Sequence, residues 1–324
     1  MRFMLLAVLA VMLSLGPVAD AAEAPELKPS PARRWANAAS AMMLGAARTG
    51  ERIVAIGEHG IVMLSDDGGT TFRQAQSVPV STTLTAVAFA DDRRGWAVGH
   101  WGAIIATEDG GETWRLQRSD ATVDQPLFSV TFTSPAEGWA VGLWSLFLHT
   151  TDGGATWVPV TLPPPPGSGK ADRNLTQVFS DGKGALYVTA ELGSVLRSGD
   201  GGKTWSYGDT GYRGTLWTGM VASTGTIVVG GLNGRLFRSA DNGTTWSRIP
   251  SEVAESITAL IEINGVVVGS ALSGAMVHGL PEAPRFATQI QPEKRDITGL
   301  VRAAPGRLLL TTVQGTVLID APKP

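Results

Sequence analysis

The sequence predicts an all-β protein, a seven-bladed β-propeller built from repeats of about 41 residues. Two repeat counts support this prediction. The motif Ser/Thr-x-Asp-x-Gly-x-Thr-Trp/Phe occurs five times and begins at Ser65, Thr107, Thr150, Ser198 and Ser239. A turn between two short apolar segments recurs seven times, at spacings of 42, 43, 48, 41, 40 and 41 residues, and ends at Gly60, Gly102, Ser145, Gly193, Gly234, Gly274 and Gly315. Such spacing, with several short strands per repeat, is typical of propeller blades.

The most complete copy of the repeat is residues 95–114, GWAVGHWGAIIATEDGGETW. Trp96–Val98 and Ala103–Ala106 are short, apolar and rich in strand-forming residues, and Gly99–Gly102 would join them as a β-hairpin. We expect the glycines of this turn where the backbone needs a positive φ or a close approach to other backbone. A second turn, from Thr107 to Trp114, leads into the next strand.

The second turn matches the Asp box, also called the BNR repeat. Its aspartate can accept hydrogen bonds from N–H groups of its own turn, and its glycine permits a left-handed backbone. Its aromatic residue can fold back and bury apolar surface on the hairpin. Five equivalent acids, one per blade, favour a structural role over a catalytic or calcium-binding one. The predicted structural residues of the boxes are Asp67, Asp109, Asp152, Asp200, Asp241, Trp114, Trp157, Trp205 and Trp246.

The remaining strands follow the same pattern in each repeat. Strands expected in blades 1 to 3 include Ser40–Ala47, Arg52–Ile56, Ile61–Leu64, Thr71–Ala75, Thr85–Ala90, Trp114–Gln117, Phe128–Thr133, Trp139–Val141, Leu146–His149 and Trp157–Val160. A Pro/Gly loop, Leu162–Asp172, accounts for the longest spacing. Later strands include Tyr187–Thr189, Val195–Arg197, Trp205–Tyr207, Thr226–Val229, Leu236–Arg238 and Trp246–Ile249, with blade 6 at about Ile257–Thr288.

Blade 7 shows only three strands, Ile297–Arg302, Leu308–Thr312 and Val317–Asp320. An open seam would leave unpaired strand edges. We therefore expect the segment near Pro29–Ala36 to pair alongside blade 7 and close the ring.

The chain divides into three segments. Residues 1–21 have the features of a Sec signal peptide: Arg2, an apolar run from Phe3 to Leu15, and small residues before a cleavage site preceding Ala22. The expected destination is the periplasm, and an uncleaved anchor is the alternative. Residues 22–36 read as a Pro-rich arm, and residues 37–324 as the propeller.

Composition excludes several classes of function. The 324 residues carry a formal charge of −3 and no cysteine. Nothing indicates a basic nucleic-acid surface, a disulfide or a thiolate nucleophile. The histidines lack the spacing of a metal site, and no cofactor is expected. These residues are His59, His100, His149 and His278.

The intact repeat, most specific at Gly95–Trp114 and Gly138–Trp157, resembles the photosystem II stability/assembly factor family of exported Asp-box propellers. The resemblance implies a non-enzymatic scaffold or assembly factor whose partner is a protein, membrane-embedded or associated with a transporter. In phototrophs, members of this family assist photosynthesis and carry an arginine-rich patch. Here the candidate arginines are scattered: Arg93, Arg94, Arg115, Arg118, Arg173 and Arg213. A non-phototroph member and a monomer are expected.

The alternative is a carbohydrate-active propeller, since Asp boxes also occur in sialidases and other glycosidases. Such an enzyme needs paired carboxylates, or a tyrosine nucleophile with an acidic partner. Tyr187 and Tyr207 lie in expected strands, and Tyr212 is the third tyrosine. The Arg248-Ile249-Pro250 run is similar to a sialidase signature, but it follows the fifth box, whereas the sialidase run precedes the boxes. These observations favour a non-enzymatic protein.

The turns between the second and third strands of the blades should share one face with the loops that join the blades, opposite the Asp boxes. Aromatic residues in these turns suit partner binding, although packing between blades is the alternative. The predicted partner-binding residues are His59, His100, Trp101 and Trp144, with Arg115, Arg118, Arg173 and Arg213 as a polar rim on the same face. The apolar turn residues Leu143 and Leu192 are their neighbours.

Overall fold

Each sequence repeat forms one antiparallel sheet, and the sheets surround a central channel. The computed structural model describes residues 29–322. Six of the sheets have four strands and one has three. This architecture confirms the seven-bladed β-propeller. The predicted signal peptide, residues 1–21, and the first part of the predicted arm, residues 22–28, lie outside the described residues.

The strands of the first four blades are as follows. Blade 1 contains β1 (Met43–Thr49), β2 (Arg52–Gly57), β3 (Val62–Ser65) and β4 (Arg73–Gln74). Blade 2 contains β5 (Leu84–Phe89), β6 (Gly95–Gly99), β7 (Ile104–Thr107) and β8 (Arg115–Arg118). Blade 3 contains β9 (Leu127–Phe132), β10 (Gly138–Gly142), β11 (Phe147–Thr150) and β12 (Val158–Pro159). Blade 4 contains β13 (Leu175–Ser180), β14 (Leu186–Ala190), β15 (Ser194–Ser198) and β16 (Ser206–Asp209).

The last three blades complete the ring. Blade 5 contains β17 (Leu216–Val221), β18 (Ile227–Gly231), β19 (Leu236–Ser239) and β20 (Ser247–Ile249). Blade 6 contains β21 (Ile257–Ile263), β22 (Val266–Ala271), β23 (Ala275–Gly279) and β24 (Ala287–Ile290). Blade 7 contains β25 (Ile297–Ala304), β26 (Arg307–Thr312) and β27 (Gly315–Asp320). Short 3-10 turns occur at Ala38–Ser40, Glu58–Gly60, His100–Gly102, Leu143–Ser145 and Leu232–Gly234.

The first strand of every blade is the innermost one. These strands contact their counterparts in the neighbouring blades and line the channel. Within a blade the strands then follow in chain order toward the outside. Each first strand has a register irregularity at its second residue, as between Leu84 and Ala86 of β5, which raises the local twist.

Threonines at this second position join successive blades. The hydroxyl of Thr85 donates to the carbonyl of Leu127 at 2.6 Å. The same bond runs from Thr176 to Leu216 at 2.5 Å, from Thr258 to Ile297 at 2.9 Å and from Thr298 to Met43 at 2.5 Å. Because the last of these bonds links blade 7 to blade 1, the ring closes through the same contact that joins its internal blades.

The expectation that Pro29–Ala36 pairs alongside blade 7 is wrong. Within residues 29–322, blade 7 has three strands, and this segment lies against blade 1. The N–H of Ala32 donates to the carbonyl of Val78 at 3.0 Å, and the N–H of Trp35 donates to Oε1 of Gln74 at 3.1 Å. Since contacts between innermost strands already close the ring, no added strand is needed. The side chain of Gln74 in β4 holds the arm, since its amide N–H also donates to the carbonyl of Arg33 at 2.8 Å.

The core consists of apolar side chains packed between neighbouring sheets. One buried cluster combines Val54 and Leu64 of blade 1 with Leu84 and Ala97 of blade 2, beside the box residue Trp114. Fully burying one such aliphatic side chain stabilises a fold by about 1.5–3 kcal/mol. Packing between blades therefore outweighs the single hydrogen bonds that join them, which contribute about 1 kcal/mol each.

The ring presents two faces. The turn face carries the turns between the second and third strands together with the loops that connect blades. The Asp-box face carries the boxes and the turns between the first and second strands. Within residues 29–322, no helix is long and apolar enough to span a bilayer.

Candidate functional site

The turn face is built from one repeated turn whose central residue has a left-handed backbone. The φ of this residue lies between 53° and 58° in blades 1 to 6, at His59, Trp101, Trp144, Leu192, Asn233 and Ser273. Asparagine tolerates this conformation, whereas a bulky side chain is strained there. The expected positive φ is found at Gly102, at 53°. Gly99 is extended instead, and a Cβ there would lie 2.1 Å from the carbonyl oxygen of Thr83.

A polar side chain from the next interblade loop holds several of these turns. The N–H of Trp101 donates to Oδ1 of Asp124 at 2.7 Å. The N–H of Trp144 donates to Oδ1 of Asn174 at 2.9 Å. Both acceptors precede the first strand of the following blade, so the strained residue is fixed by the neighbouring repeat as well as by its own.

The candidate residues of blades 1 and 2 are engaged by the chain itself. The ring of His59 stacks on Trp35 of the arm, with ring centroids 5.2 Å apart. Trp101 is partly buried and lines a cavity of about 290 Å³ together with Pro29 and Ser30 of the arm. The arm therefore covers part of the surface that the sequence assigned to partner binding.

His100, which precedes Trp101 in the turn, forms a polar pair with the next interblade loop. Its Nδ1 lies 3.0 Å from Oδ2 of Asp124. Burial of the Asp124 carboxyl opposes its ionisation, but hydrogen bonds from His100 and from the backbone of Trp101 outweigh burial and lower the pKa of Asp124. The ionised carboxylate thus holds the left-handed turn in place.

The exposed apolar residues of the turn face lie farther round the ring. Trp144 is 58% exposed in blade 3, and Leu192 is 48% exposed in blade 4. Trp217, the second residue of β17, is 42% exposed at the channel opening on the same face. The exposed apolar turn residues therefore lie in blades 3 and 4, whereas His59 and Trp101 of blades 1 and 2 lie beside the arm.

Three of the four predicted rim arginines lie on the turn face. Arg118 donates to the carbonyl of Gly102 at 2.6 Å, and its burial lowers the pKa of its guanidinium against the opposing effect of Asp120. The guanidinium carbon of Arg173 lies 5.6 Å from the centre of the Tyr207 ring. Arg213 pairs with Asp209 at 3.2 Å, and both side chains are exposed.

The placement of Arg115 on this face is wrong. Arg115 is the first residue of β8 and follows the Asp box directly, whereas Arg118 ends the same strand. Its guanidinium lies 3.3 Å from the carboxylate of Glu108, beside the box. Since the two ends of a strand lie on opposite faces of the ring, Arg115 belongs to the Asp-box face. Arg93 and Arg94 lie on that face too, in the turn between β5 and β6.

Each Asp-box carboxylate is used within its own turn. In blade 2, Oδ1 of Asp109 accepts from the hydroxyl of Thr107 at 2.8 Å and from the N–H of Thr113 at 3.0 Å. The hydroxyl of Thr113 donates to Oδ2 at 2.5 Å, and the ring N–H of Trp114 donates to the carbonyl of Gly111 at 2.9 Å. The same carboxylate bonds recur at Asp67, Asp152, Asp200 and Asp241.

These hydrogen bonds favour the ionised carboxylate. Those from Thr71 and Thr156 lower the pKa of Asp67 and Asp152, respectively, to about 2, and the pKa values of Asp200 and Asp241 are lowered in the same way. An acid held ionised and bonded in its own turn is a poor proton donor. Its chemistry suits a rigid turn better than general acid catalysis.

The residues considered for glycosidase chemistry lie in separate places. Tyr187 is buried in β14 and stacks on Phe179, and burial raises the pKa of its phenol. Tyr207 lies in β16, and Arg248 lies in the outer strand β20 of blade 5. His149 stacks on Trp139 in blade 3. Within residues 29–322, no group of three or more His, Asp or Glu residues is arranged to hold a metal ion.

Two residues of the turn face were not predicted from the sequence. Trp217 occupies the position that carries threonine in blades 2, 4, 6 and 7. Aligning the repeats on the first strand would have identified it as a departure from the pattern. Asn174 supports Trp144 from an interblade loop, and such a loop has no repeat signature of its own.

Comparison with known proteins supports the repeat assignment. Residues 73–216, from β4 of blade 1 to the start of blade 5, match the family model described as photosynthesis system II assembly factor YCF48. No curated protein matches the chain.

Solved structures share the fold over nearly the whole chain. The structure of YCF48 bound to D1 peptide is 15% identical, with a TM-score of 0.70, and the match covers 91% of this chain and 100% of that one. The structure of YCF48 from Cyanidioschyzon merolae is 14% identical, with a TM-score of 0.68, and the match covers 87% and 96%. At these sequence identities the solved structures establish the propeller fold. The resemblance to the assembly factor family rests on residues 73–216. The chain is a seven-bladed Asp-box β-propeller that resembles the photosystem II assembly factor family, as its repeats predict.

Proposed function

We propose that the chain is a non-enzymatic scaffold or assembly factor that binds another protein at its turn face. The observation that carries this proposal is Trp144, a tryptophan 58% exposed at the tip of a turn and held in a left-handed backbone conformation. A bulky residue in that conformation costs about 1–2 kcal/mol relative to glycine. Because the turns of blades 1 to 6 share this conformation, the feature that distinguishes Trp144 is its exposed aromatic side chain, which is typical of binding sites.

The surroundings of Trp144 support the same function. Leu192 presents a second exposed apolar side chain from the next blade, also from a left-handed backbone. Exposed large apolar residues on rigid turns favour association with a partner over solvation. YCF48, whose fold this chain shares, has been solved bound to D1 peptide, which supports a polypeptide partner here.

We further propose that the protein acts in the periplasm, on a membrane-embedded or transporter-associated partner. The signal-peptide pattern of residues 1–21 supports export. The non-enzymatic assignment is supported by the Asp-box acids, which are engaged in their own turns.

Crosslinking in cells, followed by affinity capture, tests the scaffold. The wild type is compared with Trp144→Ala/Leu192→Ala, and with Val158→Ala/Leu280→Ala as a control that removes comparably exposed apolar side chains from outside the turn face. We expect one partner to be captured by the wild type and the control but lost from the turn-face variant. Equal capture by all three proteins would contradict binding at this face.

A further inference from the structure

We propose that Trp144, Arg173 and Leu192 form a site for a short apolar segment of the partner polypeptide that carries a carboxylate group. This inference rests on the proposed function, because it specifies the chemistry of the segment that the turn face binds. We call these three residues the Trp144–Leu192 patch.

The three chain segments that carry the patch are fixed relative to one another. Both the N–H and the hydroxyl of Ser145 donate to the carbonyl of Arg173, at 3.0 and 2.9 Å. Asn174 accepts from the N–H of Trp144, and its own backbone and side-chain N–H groups donate to the carboxylate of Glu191 at 3.0 and 2.8 Å. The turn of blade 3, the interblade loop and the turn of blade 4 are therefore joined by side-chain and backbone bonds.

The apolar part of the patch cannot withdraw from solvent. Trp144 and Leu192 both lie at turn tips with a left-handed backbone. Hydrogen bonds of Asn174 with Trp144 and Glu191 hold the two turns in place. Rigid aromatic and aliphatic side chains lose little entropy on binding. Trp217, exposed at the channel opening one blade farther on, extends the apolar surface toward the centre of the ring.

The charged group of the patch is the guanidinium of Arg173. The nearby carboxylate of Glu191 accepts two hydrogen bonds from Asn174, which fix its position but leave its charge. Among the described residues, the ion pairs of this sector join Lys170 to Asp172 and Arg213 to Asp209, and Arg173 belongs to neither.

Among residues 29–322, no acid pairs with Arg173, so its guanidinium keeps donors available within this part of the chain. Its guanidinium lies over the ring of Tyr207, which orients the group without neutralising its charge. A planar guanidinium with free donors binds a carboxylate through two parallel hydrogen bonds. Arg213 adds a second cation, since its pairing with Asp209 is exposed to water and weak.

A polypeptide segment fits these features better than an anionic membrane surface. Membrane surfaces are recognised by clusters of several lysines and arginines, whereas acids alternate with the arginines here, at Asp172 and Asp209. Two apolar side chains beside one free arginine instead match two apolar residues beside one acidic residue, or beside a chain terminus. The expected ligand is therefore a short polypeptide segment in which the apolar side chains lie beside the carboxylate.

Peptide selection tests this chemistry directly. A library of random twelve-residue peptides displayed on phage is selected against the immobilised full chain, and the recovered peptides are measured in solution by fluorescence polarisation. We expect enrichment of Leu, Ile, Phe, Met or Trp together with Asp, Glu or a free C-terminus. Replacing the carboxylate of the best peptide by a carboxamide should weaken binding about tenfold, as expected for loss of a charge-assisted bidentate contact.

Variants of the protein assign the carboxylate to Arg173. Arg173→Gln should bind the acidic peptide about tenfold more weakly, with the carboxamide peptide unaffected. Arg173→Lys should lose less, because it keeps the charge but not the planar fork. Arg302→Gln is the matched control, since it removes the charge of an exposed arginine near the end of β25 on the opposite face. Circular dichroism confirms that each variant is folded.

The outcomes separate this inference from the scaffold proposal. Equal affinity for the acidic and carboxamide peptides, with binding still lost in Trp144→Ala/Leu192→Ala, would overturn the carboxylate site and leave the scaffold intact. Peptides that bind the turn-face variant as well as the wild type would contradict both. Failure to enrich any peptide, or preferential binding to vesicles of anionic lipid, would also overturn the inference.

Discussion

The backbone angle φ of Trp144 makes this residue costly for stability. Its φ of 53° places the Cβ close to the following carbonyl, a contact that glycine avoids. More than half of Trp144 is exposed to solvent. Burial of its indole therefore offsets only part of the conformational strain. The residue is therefore a poor choice for stability alone, and a use in binding accounts for it.

Substitution at this position should separate stability from binding. Trp144→Gly is expected to be more stable than Trp144→Ala by about 1 kcal/mol, because only alanine retains a Cβ in the left-handed conformation. Both variants should lose the partner. Urea unfolding measures the difference, and Val158→Gly against Val158→Ala, in the outer strand β12, is the control pair in which glycine should be the less stable variant.

The Asp-box carboxylates make stability depend on pH at the scale of one residue. Hydrogen bonds from Thr156 and its neighbours lower the pKa of Asp152 from 3.8 to about 2 in the folded protein. Since the folded pKa lies below the unfolded one, the contribution is fully present above about pH 4 and is lost as the pH falls toward 2. Asp67 titrates in the same range.

This linkage predicts a converging pair of stability curves. Asp152→Asn should be less stable than the wild type near pH 6, because the amide cannot accept all the bonds of the carboxylate. The difference should shrink between pH 4 and pH 2, where the wild-type carboxylate becomes protonated. Urea unfolding as a function of pH measures it. A difference that stays constant over this range would show that the ionised form of Asp152 does not stabilise the turn.

At the scale of a blade, a side chain at one strand position decides how neighbouring sheets are joined. Threonine at the second residue of the first strand donates to the next blade, including across the closure from Thr298 to Met43. Blades 1, 3 and 5 have Leu44, Phe128 and Trp217 there instead. Those blades forgo the hydrogen bond and place larger apolar groups near the channel opening.

The closure should therefore be no weaker than an internal junction. Thr298→Val and Thr258→Val each remove one hydroxyl donor to a neighbouring blade while keeping the side-chain volume, and each should cost about 1–2 kcal/mol. Chemical denaturation of both variants should give similar losses and single transitions. A much smaller loss for Thr298→Val would indicate that the ring is held closed elsewhere. Thr316→Val, at a half-buried position in the edge strand β27, is the control.

The sequence predicted the strands well because each hairpin and each box is specified within about 20 residues of chain. It failed on closure, since the bond from Thr298 to Met43 spans 255 positions and has no local signature. It also treated Trp101 and Trp144 alike, because they occupy the same position in the repeat. Only the arm beside Trp101 distinguishes them, and its contact with blade 1 is likewise distant in sequence.

For the whole molecule, the two faces have different chemistry. The Asp-box face carries ion pairs such as those of Arg73 with Asp66 and Glu112. The hydrogen bonds that Arg73 donates to both acids raise its pKa, and the bond to Glu112 has the larger effect. The turn face carries ion pairs as well, such as that of Arg213 with Asp209, but it also presents the exposed side chains of Trp144 and Leu192. A propeller whose exposed turn tryptophan and leucine lie on one face has a defined orientation toward its partner, and the cellular compartment decides which partners it can meet.

The last prediction concerns the cellular compartment of the protein. The apolar run from Phe3 to Leu15 has 13 residues, shorter than the roughly 20 that a membrane-spanning helix needs. Ala19 and Ala21 have the small side chains that signal peptidase accepts before a cleavage site. Cleavage should therefore release a protein that begins at Ala22, and mass spectrometry of the intact protein from a periplasmic extract would measure its start. Ala19→Leu/Ala21→Leu should retain the leader and move the protein to the membrane fraction. A wild-type protein that keeps its first 21 residues and sediments with membranes would show that the segment is an anchor.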